Sequence, residues 1–251
     1  MRGLWNKRLA VNLKRIEATR SLPEYDAEEE ARSLGYYIEA LCKQGDLREA
    51  EQYLPQLKQL AQSTRFSDQG IFRFQNVLAM YAVSRRDLDT AIHIFQSLLS
   101  LSAELGGQGY VLTRRWLATC LYHKGELSES RQLFRDSLYD AEEKGDQRSV
   151  NGNRIRLAAI ALDCGNLEEA ASLLEGCCLQ AQRYKDRRRM SEIQPLLARL
   201  HTLRGDIPAA RASLSEAIDL FERLGMRREL AEARTELARL DAPAEPAPEA
   251  E

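Results

Sequence analysis

Residues that break helices are scarce in this chain, because its 251 residues include only 14 glycines and 7 prolines. Aromatic residues make up 7% and charged residues 29% of the total. This balance is typical of a soluble, helix-rich protein. No stretch approaches the roughly 18 consecutive apolar residues of a membrane span, and no apolar segment typical of a signal peptide is present. We therefore expect a cytoplasmic protein with no membrane partner.

Patterns that carry chemistry are missing as well. The five cysteines are an odd number, and none has a CxxC or Cys/His spacing that suits zinc. We expect small, half-buried thiols inside helices, in a reducing compartment. Neither GxxxxGK[ST] nor GxGxxG occurs, and the three histidines lack HExxH spacing. We expect no catalytic residue, no metal site and no cofactor, so the chain is not expected to be an enzyme.

Net charge also excludes a class of partner. The whole chain carries −2, and four acids without a base lie in residues 241–251, so the preceding residues carry +2. Neither value is large enough to indicate bulk nucleic-acid binding. We expect no direct nucleic-acid partner.

A six-residue phrase, GDLREA at 45–50, occurs in five variants at an almost constant interval along the chain. The copies begin at Gly45, Arg86, Gly125, Gly165 and Gly205. Each copy follows a segment with a central pair, which is Tyr37-Ile38, Leu78-Ala79, Leu117-Ala118, Leu157-Ala158 or Leu197-Ala198. In four units the copy opens a stripe with steps of four and three, such as Ala91, Phe95 and Leu98. The spacing predicts a helix–turn–helix repeat of about 40 residues.

The composition of the turn supports this prediction. Glycine suits the left-handed end of a helix, and the Asp, Glu or Asn that follows it can cap the next helix. The alanines allow the two helices of a unit to cross closely, while the larger apolar residues fill the space beside them.

The unit resembles the tetratricopeptide repeat (TPR), which has small residues in both helices. The G-[DN]-L-x-x-A turn favours this family over HEAT repeats, which share the longer period. The resemblance covers about residues 31–240. The leading tryptophan of the family is replaced by Leu34, Gln75, Arg114, Arg154 and Gln194, and the closing proline is missing. The resemblance implies an all-α fold, a right-handed superhelical solenoid of antiparallel helix pairs.

Five full units fit the pattern, and a further helix closes it. The units lie at about 31–69, 70–109, 110–149, 150–189 and 190–226, followed by a capping helix at 227–240. We therefore divide the chain into an N-terminal half repeat at 1–22, a solenoid at 23–240 and a tail at 241–251. The tail is acidic and rich in Pro and Ala, so we expect it to be disordered.

The N-terminal segment is a basic amphipathic helix, which could be a membrane-surface anchor, a presequence or the second helix of a half repeat. Leu9, Leu13 and Ile16 precede the stripe of the first unit by the same interval that separates the first two turn phrases. This register favours the half repeat. The face around Leu4 and Val11 is left without a first helix, so it could contact a partner or a second copy of the chain.

The resemblance implies that the first helix of each unit lines a concave groove. The residues at the groove positions are Arg73, Asn76, Met80, Arg115, Trp116, Thr119, Tyr122, His123, Arg156 and Arg199. One arginine per unit suits a carboxylate or phosphate partner, and Trp116 or Tyr122 could supply an anchor pocket. The alternative is that these arginines pair with acids on the next helix.

These features predict a non-catalytic adaptor or assembly scaffold that binds an acidic peptide segment or helix. The alternative is a regulatory or sensory protein that binds a small effector or signalling peptide, because similar arrays occur in bacterial transcription regulators. A third hypothesis, a membrane-tethered assembly factor, is supported only by the basic first helix. The carboxylate clamp of chaperone-binding members does not recur, since Met80 and Gly152 occupy two of its positions.

Overall fold

The computed structural model describes residues 2–105 and 108–241. These residues form twelve helices and no strand. The helices are α1 (Arg2–Arg20), α2 (Ala27–Gln44), α3 (Leu47–Ser63), α4 (Asp68–Ser84), α5 (Leu88–Leu105), α6 (Gln108–Lys124), α7 (Leu127–Glu143), α8 (Gln147–Asp163), α9 (Leu167–Arg183), α10 (Arg187–Leu203), α11 (Ile207–Leu224) and α12 (Arg227–Asp241). None of them is both long and apolar enough, as described, to cross a membrane.

The helices pair as the repeat pattern predicts, with α2–α3, α4–α5, α6–α7, α8–α9 and α10–α11 as five full repeats. The first helix of each pair begins shortly before the unit boundary expected from the sequence. The reason is that the first turn of each helix is largely polar, as in Glu28 and Glu29 of α2, and shows no apolar period. These acids suit a helix N-terminus.

The predicted stripes form the core. Ala91, Phe95 and Leu98 have no exposed surface, and the alanines of the central pairs are equally buried at Ala118 and Ala158. In the third unit the stripe begins with Ser130, whose hydroxyl donates to the carbonyl oxygen of Ala118 at 2.7 Å. A buried hydroxyl satisfied in this way avoids the cost of an unpaired polar group.

The turns follow the predicted chemistry in part. Gly45, Gly125, Gly165 and Gly205 all have positive φ, and Arg86 takes the same left-handed conformation at φ 62°. Asp206 accepts a hydrogen bond from the N–H of Ala209 at 3.0 Å. Asp46 and Asn166 make no side-chain capping bond, so the expectation that these residues cap the next helix is wrong at both positions.

The chain divides into two compact units, Met1–Ser137 (unit 1) and Leu138–Glu251 (unit 2). In unit 1, α1 packs on α2, with Ile16 buried and Leu9 and Leu13 half-buried against the same core. In unit 2, α12 packs on α11 through Ala233, while Ala238 stays exposed. The tail expected at 241–251 lies outside the described residues, except for Asp241, which ends α12.

Candidate functional site

Helices α4 and α6 of unit 1 carry seven of the residues that the resemblance placed in the groove. They are Arg73, Asn76 and Met80 on α4, and Arg115, Trp116, Thr119 and Tyr122 on α6. Counted from the first residue of each central pair, their offsets are −5, −2, −1, +2 and +5. At about 100° per residue these offsets fall on the side of the helix away from the buried pair. We call this side the first-helix face of unit 1.

A cleft with a volume of about 70 Å³ opens on this face between α2 and α4. Its lining includes Glu28, Arg32, Gly35, Tyr36 and Glu39 of α2, and Phe72, Arg73, Phe74, Asn76 and Val77 of α4. Gly35 brings the two helices together, because a Cβ atom at this position would lie 2.9 Å from Cγ2 of Val77. The volume has room for several water molecules or for a small side-chain group.

The acids of the cleft already have partners. Glu28 accepts hydrogen bonds from the backbone N–H of Ser67 at 2.8 Å and from its hydroxyl at 2.7 Å. Since Ser67 in turn caps α4, this carboxylate joins the first two repeats. Glu39 lies 3.7 Å from the ammonium group of Lys43. Neither acid is therefore a strong acceptor for an external cation.

The arginines of the cleft keep free donors. Arg32 forms an ion pair with Glu29, but its Nε–H is buried without an acceptor among the described residues. Arg73 makes no hydrogen bond or ion pair within the described part of the chain. With the amide of Asn76 beside them, these donors favour an acceptor-rich group such as a carboxylate. The aromatic rings of Tyr36, Phe72 and Phe74 could surround its apolar part.

Beyond the cleft, the first-helix face of unit 1 is partly apolar. Met80 and Trp116 are half-buried against the core formed by α4, α5 and α6. The hydroxyl of Thr119 donates to the carbonyl oxygen of Arg115 at 2.8 Å, so its donor is already used within α6. The Tyr122 ring lies 5.3 Å from that of His123. Trp116 is the side chain of this group best suited to act as an anchor.

In unit 2, the two predicted arginines differ from each other. The guanidinium of Arg199 on α10 forms an ion pair with Asp163 of α8 at 2.6 Å. Arg199 is therefore paired with an acid, as in the alternative interpretation, but this acid lies on the first helix of the preceding repeat and not on the next helix. Arg156 on α8 is exposed and makes no ion pair with a described residue. Arg73 and Arg115 belong to unit 1, whereas Arg156 and Arg199 belong to unit 2. A basic track that includes all four arginines therefore stays a prediction.

Arg32 and Tyr36 are among the cleft residues that sequence analysis missed. A signal for both was present, because Arg32 lies one repeat before Arg73 and Tyr36 lies two repeats before Trp116. These spacings give them the same offsets from the central pair. The guanidinium of Arg15 lies 5.3 Å from the centroid of the Tyr36 ring, so α1 reaches the rim of the cleft.

The buried thiols are poor nucleophiles. Burial raises the pKa of the Cys120 thiol to about 11, and burial likewise raises the pKa of Cys177 to about 11. At neutral pH both thiols are therefore protonated, and the thiolate is the reactive form.

Helix pairs with this period, turn and core define a TPR-like all-α fold. No family model and no curated protein matches the sequence. Solved structures do. NprR in complex with its cognate peptide NprX is 13% identical with a TM-score of 0.69, and the match covers 94% of this chain and 74% of NprR. A Rap protein complexed with competence and sporulation factor is 15% identical, with a TM-score of 0.61 and coverage of 96% and 72%.

The same fold occurs in a eukaryotic array. The TPR-like repeats of a kinesin light chain from Podospora anserina are 18% identical, with a TM-score of 0.55 and coverage of 87% of this chain and 98% of that one. At these identities the similarity is one of fold.

Proposed function

We propose that this protein is a non-catalytic adaptor that binds an acidic peptide segment or helix on the first-helix face of unit 1. One observation carries the proposal: Arg73 borders a cleft in which both carboxylates are engaged, while its own guanidinium has no partner among the described residues. An acidic side chain would supply the missing acceptor. The guanidinium fork can form two parallel hydrogen bonds to a carboxylate.

The rest of the face suits the remainder of such a ligand. Met80 and Trp116 offer half-buried apolar surface, and Arg115 is exposed beside Trp116. A peptide that places one acid in the cleft could then pack an apolar residue on Trp116. Aromatic and arginine side chains are the residue types that most often dominate binding energy at interfaces.

A second candidate is a regulatory protein that senses a short signalling peptide. Two of the similar structures favour it, because NprR is complexed with its cognate peptide and the Rap protein with competence and sporulation factor. The two candidates differ in the length of the ligand. A sensor would bind a free peptide of a few residues, whereas an adaptor would bind a segment within a larger protein.

The proposal is tested by selecting binders from a displayed library of random 12-residue peptides on the full-length protein. We expect the selected peptides to be enriched in Asp and Glu and to bind less tightly as salt increases, because exposed charge pairs are screened. In Arg73→Glu the same peptides should lose at least about tenfold in affinity, which corresponds to about 1.4 kcal/mol. Near-normal binding by Arg73→Glu would contradict the proposal.

The matched control is Arg48→Glu. Arg48 is exposed on α3, the second helix of the first repeat, and makes no ion pair with a described residue. It lies in the first turn, where an acid is compatible with the helix dipole. Both variants change the net charge equally, so a loss confined to Arg73→Glu reports on the cleft.

A further inference from the structure

Three loops of unit 2 that join one repeat to the next are rich in basic residues. They span 144–148, 183–189 and 223–228, and the middle one, RYKDRRR, contains five bases and one acid. Arg148, Arg188 and Arg228 recur at the interval of the repeat, which therefore places one arginine at the same position of each loop. We call this surface the basic edge. Apart from Arg183, which contacts the Tyr184 ring, its exposed cations without an ion pair to a described residue are Lys144, Arg148, Lys185, Arg187 and Arg227.

Side-chain contacts bring the three loops together. The guanidinium of Arg189 donates to the carbonyl oxygen of Arg148 at 3.1 Å, which joins the first loop to the second. The hydroxyl of Ser191, in the first turns of α10 just after the second loop, lies 3.9 Å from the Sδ atom of Met226, which joins this end of α10 to the third loop. The three loops are therefore neighbours along one edge of unit 2.

Acids near the basic edge are already engaged. Asp146 and Asp186 cap α8 and α10, accepting from the N–H groups of Ser149 and Arg189. Glu142 pairs with Arg154, and Glu222 pairs with Arg234. The surface thus keeps an excess of positive charge, although the chain as a whole carries only −2. From the sequence we expect no nucleic-acid partner, because the net charge of the whole chain is close to zero. That net charge does not describe the local excess of positive charge on the basic edge.

An exposed aromatic ring lies among these cations. Tyr184 is 68% exposed, and the guanidinium of Arg183 lies 5.8 Å from its ring centroid. Exposed aromatic rings between basic residues stack on unpaired bases, and arginine adds to the stacking. Neither an anionic lipid surface nor an acidic peptide would need a stacking ring.

We propose that the basic edge binds single-stranded nucleic acid, with its cations on successive phosphates and Tyr184 stacked on a base. Arginine suits phosphate because its fork can bind two oxygens at once. This site is separate from the first-helix face of unit 1 and does not depend on the function proposed for it.

The test is a titration of a fluorescein-labelled 20-nucleotide oligouridylate with the full chain at several salt concentrations. Each phosphate contact to a single strand contributes about 0.7 to the slope of log K against log salt. Five cations predict a slope of about −3.5. A slope near zero would overturn the proposal.

Charge reversal at Arg148, Arg187 and Arg227 removes three contacts without weakening the helices. Each lies at the first or second position of its helix, where an acid is favoured by the helix dipole. At 0.1 M salt a slope contribution of 0.7 corresponds to about fivefold per contact, so the triple Glu variant should lose roughly 100-fold in affinity. Arg48→Glu, at the second position of α3, is the control for a single charge reversal outside the basic edge and should bind normally.

Tyr184→Ala distinguishes stacking from charge alone. We expect it to lose at least about fivefold in oligouridylate affinity with an unchanged salt slope. Polyglutamate and vesicles of anionic lipid, titrated under the same conditions, should bind more weakly than the oligonucleotide. If either binds as tightly, or if Tyr184→Ala binds normally, the edge is a general anion surface and the proposal is wrong.

Discussion

The first-helix faces of units 1 and 2 have the same repeat pattern but use their arginines differently. In unit 1, Arg73 borders a cleft and makes no ion pair with a described residue. In unit 2, Arg199 is held by Asp163 at 2.6 Å, Arg156 is exposed without an ion pair to a described residue, and other such cations lie at the junctions between repeats. The buried positions of the two units are equivalent. The comparison teaches that the repeat determines where surfaces lie, while the exposed residues determine which of them can bind.

The largest expected effect concerns the core positions that both units share. Ala79 in unit 1 and Ala158 in unit 2 have the same register and no exposed surface. Ala79→Leu and Ala158→Leu should each overpack a helix crossing and lower the free energy of unfolding by about 1–3 kcal/mol. Urea denaturation followed by circular dichroism measures this.

Ala238→Leu is the control for both substitutions. Ala238 has the same register on α12 but is exposed, so we expect a change within about 0.5 kcal/mol. An equal loss at all three positions would show that burial is not the cause.

A second difference between the units is the residue at the left-handed turn. Gly165 of unit 2 has φ 74°, whereas unit 1 places Arg86 there at φ 62°. Arg86→Gly should stabilise the protein by about 0.5–1 kcal/mol, because the left-handed strain of about 1–2 kcal/mol exceeds the backbone entropy cost of glycine. Gly165→Ala should destabilise it by a similar amount. Thermal denaturation of the two variants should shift in opposite directions, and shifts of the same sign would refute this interpretation.

Helix capping differs as well. Asp146 of unit 2 accepts from the hydroxyl of Ser149 at 2.6 Å and from its N–H at 3.2 Å, whereas Asp46 of unit 1 makes no side-chain cap bond. Asp146→Ala should therefore cost about 1 kcal/mol, and Asp46→Ala clearly less. Equal costs would show that the side-chain bond contributes nothing.

The Asp146 contribution should depend on pH. The hydrogen bonds from Ser149 lower the pKa of this carboxyl from its ordinary value of 3.8. A carboxyl with a lowered pKa in the folded state stabilises the protein above its unfolded pKa and loses this effect as pH falls through the folded pKa. Denaturation of wild type and Asp146→Ala should therefore differ at neutral pH and converge in acid, as the pH falls from 3.8 through the lower pKa of the folded carboxyl. A difference that persists there would contradict the assignment.

The fold could be predicted from the sequence because buried apolar residues recur at the same position of each repeat. Phe95 and Leu174 occupy the same stripe position two repeats apart, and both are fully buried. The cleft could not be predicted so completely. Its width depends on Gly35, whose hydrogen atom allows Val77 to approach, and a single glycine inside a helix gives no periodic signal. The pairing of Arg199 with Asp163 depends on side-chain geometry between helices, which residue spacing does not determine.

The smallest expected effect is on the ion pair of unit 2. Both Arg199 and Asp163 are partly exposed, so Asp163→Asn should change the free energy of unfolding by no more than about 1 kcal/mol. The substitution leaves Arg199 without its carboxylate and makes unit 2 more like unit 1. Urea denaturation measures the change, and a loss well above about 1 kcal/mol would mean that the pair is a structural anchor.

The central claim is that Arg73 of unit 1, and not the paired Arg199 of unit 2, binds an acidic ligand. A fluorescence-polarisation titration of one acidic peptide selected on the wild type tests it, using Arg73→Glu and Arg199→Glu side by side. We predict that Arg73→Glu lowers the affinity at least about tenfold, or about 1.4 kcal/mol, while Arg199→Glu stays close to the wild type. Equal losses, or a loss confined to Arg199→Glu, would contradict the account.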